Sequence, residues 1–207
     1  MSIDTVIWDM GGIFQRFFTE VIVDVGARRG WPLERMPMGP TGLVDDPAYR
    51  RMCAGELAEG DYLQLTMERL RREGIAFDLI DEPDWLAERR PEVWSLIADL
   101  AASAEHRQAI LTNDASRWLG LRWWTTWPER HLFDVIVDVA ILGVRKPAPE
   151  PFHHVLRELD ASAGACVFVD DMPVNCAAAE QVGLHPHWFD ITTPAQVITT
   201  LRARIGM

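Results

Sequence analysis

The sequence predicts an α/β protein: a doubly wound parallel sheet whose first strand is separated from the rest by a small helical domain. Three observations predict it. Short apolar runs that stop at polar residues recur along the chain, and from residue 91 onward they alternate with helical patterns. Residues 15–90 hold helical patterns but no convincing strand. Strand and helix in alternation imply βα units, hence a parallel sheet.

The first element is the run of residues 3–9, Ile-Asp-Thr-Val-Ile-Trp-Asp. It stops at Asp9 before Gly11-Gly12, which reads as a buried strand ending in a tight turn. Helical stretches at 17–29, 57–73 and 83–90 make up the insert, with a turn-rich run around Gly39–Gly42 between them. Further strands are expected at 109–111, ending at Thr112, at 135–139, at 166–169, ending at Asp170, and at 184–189. Helices are expected at 92–102, 115–126, 149–159, 173–182 and 194–204. The domains are therefore a core of residues 1–14 and 91–207 and a helical domain of residues 15–90.

Composition narrows the function. The 207 residues, 48% apolar and 25% charged, can bury a sizeable core. The formal charge of −11 argues against a nucleic-acid surface, which needs clustered Lys and Arg. A small phosphate substrate is not excluded, because one Lys and one metal ion can meet its charge. The opening Met-Ser-Ile-Asp does not read as a signal peptide, and no apolar stretch is long enough to span a bilayer. Cys53, Cys166 and Cys176 are odd in number and widely spaced, against a disulfide framework or zinc site; a reducing cytoplasm is the expected home.

In an open α/β sheet, ligands bind beyond the carboxyl ends of the strands, where strand order reverses. Here Asp9, Thr112-Asn113 and Asp170-Asp171 each end a strand, and Lys146 lies just beyond a fourth in Gly-Val-Arg-Lys-Pro. Each type has a task in phosphoryl transfer. A carboxylate can attack phosphorus to give an acyl-phosphate. Clustered aspartates repel one another unless a hard cation such as Mg2+ joins them. A lysine with Thr and Asn donors can take the remaining phosphate oxygens.

These phrases together resemble the four motifs of the haloacid dehalogenase (HAD) superfamily: Asp-x-x-Gly after a strand, Leu-Thr-Asn, Gly-Val-Arg-Lys-Pro, and Val-Phe-Val-Asp-Asp-x-x-x-Asn. The insert's Ala-Gly-Glu-Leu-Ala-Glu-Gly-Asp-Tyr (54–62) resembles the small helical cap of one branch, which includes bacterial glucose-1-phosphate phosphatase. The resemblance implies a Rossmann-like core with a cap and Mg2+ as cofactor. It makes Asp9 the nucleophile, with Lys146 paired to it and to the phosphate. Thr112, Asn113 and Gly12 would bind phosphate. Asp9, the Gly11 backbone carbonyl, Asp170 and Asp171 would serve the metal, and Asn175 would orient the Asp171 carboxylate. The implied partner is a small phosphorylated metabolite, such as a sugar phosphate.

One departure stands out. Phosphatases of the resembled family usually carry a second Asp, the general acid and base, where this chain has Gly11. Proton transfer of that kind is worth about 10²–10⁴-fold in rate. Two rival readings remain: a metal-independent haloacid dehalogenase, and a binding or scaffold module without turnover. Asp45 or Asp46 of the insert is a weaker candidate for the missing acid. Trp118, Trp123, Trp124 and Trp127 read as core packing or a contact in a homodimer rather than a sugar platform. His153-His154 and His185-Pro186-His187 read as structural, and Cys166 and Cys176 as core fillers.

Overall fold

The computed structural model describes residues 3–77, 89–113 and 115–207. The chain divides into two compact units, Met1–Phe14 with Arg90–Met207, and Gln15–Arg89. The predicted helix at 83–90 lies outside the described residues except at Arg89 and Arg90, neither of which is helical.

The first unit is built on five strands: β1 (Thr5–Trp8), β2 (Arg107–Thr112), β3 (Val135–Asp138), β4 (Cys166–Asp170) and β5 (His185–Trp188). All pair in parallel in the order β3-β2-β1-β4-β5, so the central β1 has β2 on one side and β4 on the other. That is where strand order reverses. The four residues of β1 and the five of β4 are buried throughout, as expected for strands covered on both faces.

Alternate side chains serve opposite faces. Ile7, Ala109, Leu111 and Phe168 join Phe152, Val155, Leu156 and Leu159 of α7 (Pro149–Leu159) and Ala179 of α8 (Pro173–Gln181) in one core. Phe152 and Phe168 meet edge to face at 5.2 Å, and truncating either to Ala costs about 3–5 kcal/mol. On the other face, α4 (Pro91–Ala102) packs on β2 and on α9 (Pro194–Ile205). There the buried Gln108 bridges layers: it accepts from Trp8 Nε1 at 3.1 Å and donates to the Ile97 carbonyl at 2.9 Å. Helices α4, α7, α8 and α9 all start with proline, whose fixed φ suits the first turn and whose missing N–H is no loss there.

The predicted helix at 115–126 is shorter than expected. α5 (Ala115–Leu119) stops before Gly120, and Arg122 adopts a left-handed φ of 59° before a 3₁₀ turn, Trp123–Thr125. Trp123, Trp124 and Trp127 pack within the core unit. Trp127 stacks on Phe133 at 5.6 Å and meets Trp94 at 6.1 Å, while Trp123 is buried. The Trp118 side chain lies outside the described residues.

The second unit holds α1 (Phe18–Arg29), α2 (Pro47–Cys53) and α3 (Glu59–Arg72). Phe17, Phe18, Tyr49 and Tyr62 form its aromatic centre. Asp46 organises it. Its carboxylate accepts from the Gly39, Ala48 and Tyr49 amides, the Tyr62 hydroxyl at 2.8 Å and the Arg69 guanidinium at 2.9 Å. Burial alone would push that carboxyl up; the Arg69, Gly39 and Tyr62 donors hold it below its ordinary value. An acid so enclosed has no free oxygen for a substrate, and Asp46 is not a replacement general acid. Asp45 is exposed and paired with Arg50.

Candidate active site

Chain direction puts the polar strand ends together. Asp9 comes directly after β1, and its N–H donates to the Val169 carbonyl of β4 at 2.8 Å, so the strand pairing itself sets the position of its side chain. The loop beyond turns at Gly12, whose φ of 68° is the left-handed conformation that favours glycine. Arg90 Nε donates to the Gly12 carbonyl at 2.9 Å and steadies this loop.

Lys146 reaches the same place from beyond β3. Its Nζ donates to Asp9 Oδ1 at 2.7 Å, Asp170 Oδ2 at 2.9 Å and the Leu111 carbonyl at 2.8 Å. An ammonium has three hydrogens, and all three are thereby engaged. Its side chain is 1% exposed. Burial alone would lower the Lys146 pKa, but Asp170 and Asp9 raise it above the ordinary lysine value, so the group stays charged. Asp9 is pushed the other way from most paired carboxylates. Burial raises its pKa, Lys146 opposes, and Asp170 raises it further.

Among the described residues, Asp9, Asp170 and Asp171 place carboxylate oxygens within 4.8 Å of one another. Carboxylates this close repel one another, and a cation among them lets them stay ionised. The donor set is wholly carboxylate oxygen, which suits a hard divalent cation such as Mg2+. These residues therefore fit the metal that the motifs imply.

Two expected roles look different in the structure. Asn175 donates to both oxygens of Asp170, at 3.1 and 3.0 Å, and not to Asp171. The first turn of α8 folds back over Asp170, which also accepts from the Met172 N–H at 2.8 Å. Asn113 uses its side chain on Lys146: Nδ2 donates to the Lys146 carbonyl at 3.1 Å, and Oδ1 accepts the Lys146 N–H at 3.0 Å. An anion would have to meet its main chain or its second amide hydrogen. Thr112 is buried at the end of β2, opposite Asp138 of β3. Gly11 is half-buried, and a Cβ built there meets nothing within 4 Å.

His185 bonds the Gly164 carbonyl, His187 bonds the Val197 carbonyl, and His154 on α7 contacts Arg157. Among the described residues no cysteine forms a disulfide, and Cys166 and Cys176 are buried. Sequence reasoning missed Asp138, a buried carboxylate at the end of β3. In the sequence Asp138 sits inside the apolar run 135–144 rather than closing it, so the rule that singled out Asp9 and Asp170 passes over it.

The haloacid dehalogenase-like hydrolase family matches this chain over residues 16–183. The chain belongs to that family. Within it, a 56-residue stretch is 46% identical to a sesquiterpene phosphatase of Aspergillus oryzae, covering 27% of this chain and 29% of the relative. The chain thus covers 29% of this relative's length and 7% of that of a second, an acyl-CoA dehydrogenase family member 10 of Mus musculus. A HAD-hydrolase of Bacillus subtilis, solved with magnesium bound, aligns over 100% of both chains with TM-score 0.66 and 16% identity. An L-2-haloacid dehalogenase also aligns over 100% of both chains, with TM-score 0.62 and 17% identity. At these identities the likeness concerns the fold: a HAD core and its inserted helices. Among the described residues, no helix is long and apolar enough to cross a membrane.

Proposed function

We propose that this HAD-like hydrolase is a phosphomonoesterase that acts on a small phosphorylated metabolite through an aspartyl-phosphate on Asp9. The observation that carries the reading is the meeting of Asp9, Lys146, Asp170 and Asp171 from separate strand ends in one buried cluster. The Aspergillus phosphatase and the magnesium-bound Bacillus hydrolase support it.

Asp9, Asp170 and Asp171 would hold Mg2+, with the Gly11 carbonyl as a further oxygen. Bound there, the ion supplies positive charge that lets a phosphate approach the carboxylates. Lys146 favours the ionised form of Asp9, the form that can attack. An Asp9 oxygen forms a bond to phosphorus in line with the ester oxygen, and the P–O bond to the leaving group breaks. The leaving group departs as an alkoxide or phenoxide, which takes its proton from solvent, since Gly11 offers none. Water then attacks phosphorus, the bond from phosphorus to Asp9 breaks, and phosphate leaves. Thr112, with the main chain of Asn113 and Gly12, binds the phosphate oxygens between these steps. Asn175 keeps Asp170 turned toward Lys146 throughout.

Hydrolysis of p-nitrophenyl phosphate with Mg2+ tests this, because that leaving group scarcely needs a proton. Turnover is expected, and Asp9→Asn should abolish it. A second reading, a binding module, is favoured by Gly11 alone; it requires phosphate binding without any turnover of this ester. Halide release from a 2-haloacid without Mg2+ would instead favour a dehalogenase, against which the Asp170-Asp171 pair would repel the substrate carboxylate.

A further inference from the structure

We propose that Asp138 is a positioning residue for the anion-binding side of the site, an inference that rests on the phosphate-binding reading above. The residue ends β3 in register with Thr112 and is 3% exposed. Its two oxygens serve two segments. Oδ2 accepts from the Ser116 N–H at 2.8 Å, the Ser116 hydroxyl at 2.5 Å and Trp123 Nε1 at 3.0 Å. Oδ1 accepts from the Ala140 N–H at 3.0 Å, opening the short helix α6 (Val139–Leu142).

The first set of bonds fixes the segment that continues from Thr112 and Asn113. Without it, Ser116 would have no anchor on β3, and α5 is a five-residue helix too short to hold its own place. The second bond fixes the start of the segment that runs through Gly143 to Lys146. Asn113 then joins the two segments through its paired bonds to the Lys146 backbone. One carboxylate thus sets the loop expected to hold phosphate and the path of the lysine that neutralises it. Trp123, buried among aromatics, supplies its indole N–H to this carboxylate. Asp138 touches no reacting atom, and its influence passes through these neighbours.

Calorimetric titration with inorganic phosphate in the presence of Mg2+, paired with KM for p-nitrophenyl phosphate, tests the role. Asp138→Ala should raise the phosphate Kd by about tenfold, the size of one lost net hydrogen bond, and raise KM in step. Asp138→Asn can point its amide oxygen at Ser116 and Trp123, and should recover binding to within about threefold of the parent. Trp123→Phe, which keeps the ring and loses one donor, should weaken phosphate by about threefold and carries the test if Asp138→Ala does not fold. Val155→Ala, a cavity variant beneath α7, should lower Tm and leave Kd unchanged. Parent-like phosphate binding in Asp138→Ala, or in Trp123→Phe where that variant stands in, would overturn the proposal, as would an equal loss in Val155→Ala. A parent protein that binds no phosphate would instead overturn the reading beneath it.

Discussion

Asn113 and Lys146 hold each other by a reciprocal pair of hydrogen bonds: the Asn113 amide donates to the Lys146 carbonyl at 3.1 Å and accepts its N–H at 3.0 Å. The side chain of one motif thus pairs with the backbone of another, as a neighbouring strand would. The ammonium at the far end of Lys146 is thereby aimed at Asp9 and Asp170. Replacing Asn113 by Ala should lower kcat/KM by about 10²-fold through misplacement of the lysine. The same variant should lose only about 1–3 kcal/mol of stability, two net hydrogen bonds. Steady-state kinetics and urea unfolding on one sample check both. Lost stability with kcat/KM unchanged would mean that the pair is only structural.

Lys146 stands between carboxylates that repel one another. Lys146→Met removes the ammonium bonded to both Asp9 and Asp170, leaving that buried charge without this partner. The variant should be less stable than the parent by about 3–5 kcal/mol without divalent ions. Mg2+ should restore part of this, and more to the variant than to the parent, since it meets the greater excess charge. Thermal unfolding with and without Mg2+ gives the comparison. No added response to the ion in the variant would argue against a shared carboxylate site.

The helical unit carries its own pH dependence. Asp46 is held below the ordinary carboxylate range against the pull of burial, so the unfolded chain takes its proton more readily than the folded one. Its contribution to stability is therefore complete above the unfolded value, near pH 4, and is lost as pH falls through the folded value. Asp46→Asn should cost about 3–5 kcal/mol at pH 7, because Arg69 loses its buried partner. The gap between parent and variant should narrow as urea titrations move from pH 7 to pH 3. A gap that stays constant would place the loss elsewhere.

Gly11 has room for a side chain. A Cβ there meets nothing within 4 Å, and its φ lies outside the left-handed range, in contrast to Gly12. Neither sterics nor backbone strain forces glycine at this position. Gly11→Asp should therefore fold and speed alkyl phosphate hydrolysis by about 10²-fold or more, the lower range for general-acid catalysis. Nitrophenyl phosphate should gain far less. Equal gains on both esters would show that protonation of the leaving group is not what the parent lacks.

Strands are legible in this sequence because burial on both faces makes β1 and β4 continuous apolar runs, and Asp9 and Asp170 mark their ends. The helix α2 is not, though Asp46 before Pro47 is an N-cap with proline at the first helical position. Its seven residues are too few to show a period. α5 ends early because the Gly120–Arg122 turn requires two left-handed residues, which a pattern of apolar spacing does not register. Asn113 and Asp138 bond segments 15–33 residues away in the chain, and Asn175 turns to Asp170, five residues back, through the start of α8. Spacing shows that such residues share an edge, and only the folded chain shows which partner each one faces.

The covalent step is the most direct test of the phosphatase mechanism. Protein quenched in acid during turnover of p-nitrophenyl phosphate with Mg2+, then digested and weighed by mass spectrometry, should carry a phosphoryl group on the peptide containing Asp9. Asp9→Asn should carry none. Turnover that proceeds with no phosphorylated peptide, or with the phosphoryl group on any other residue, would contradict it.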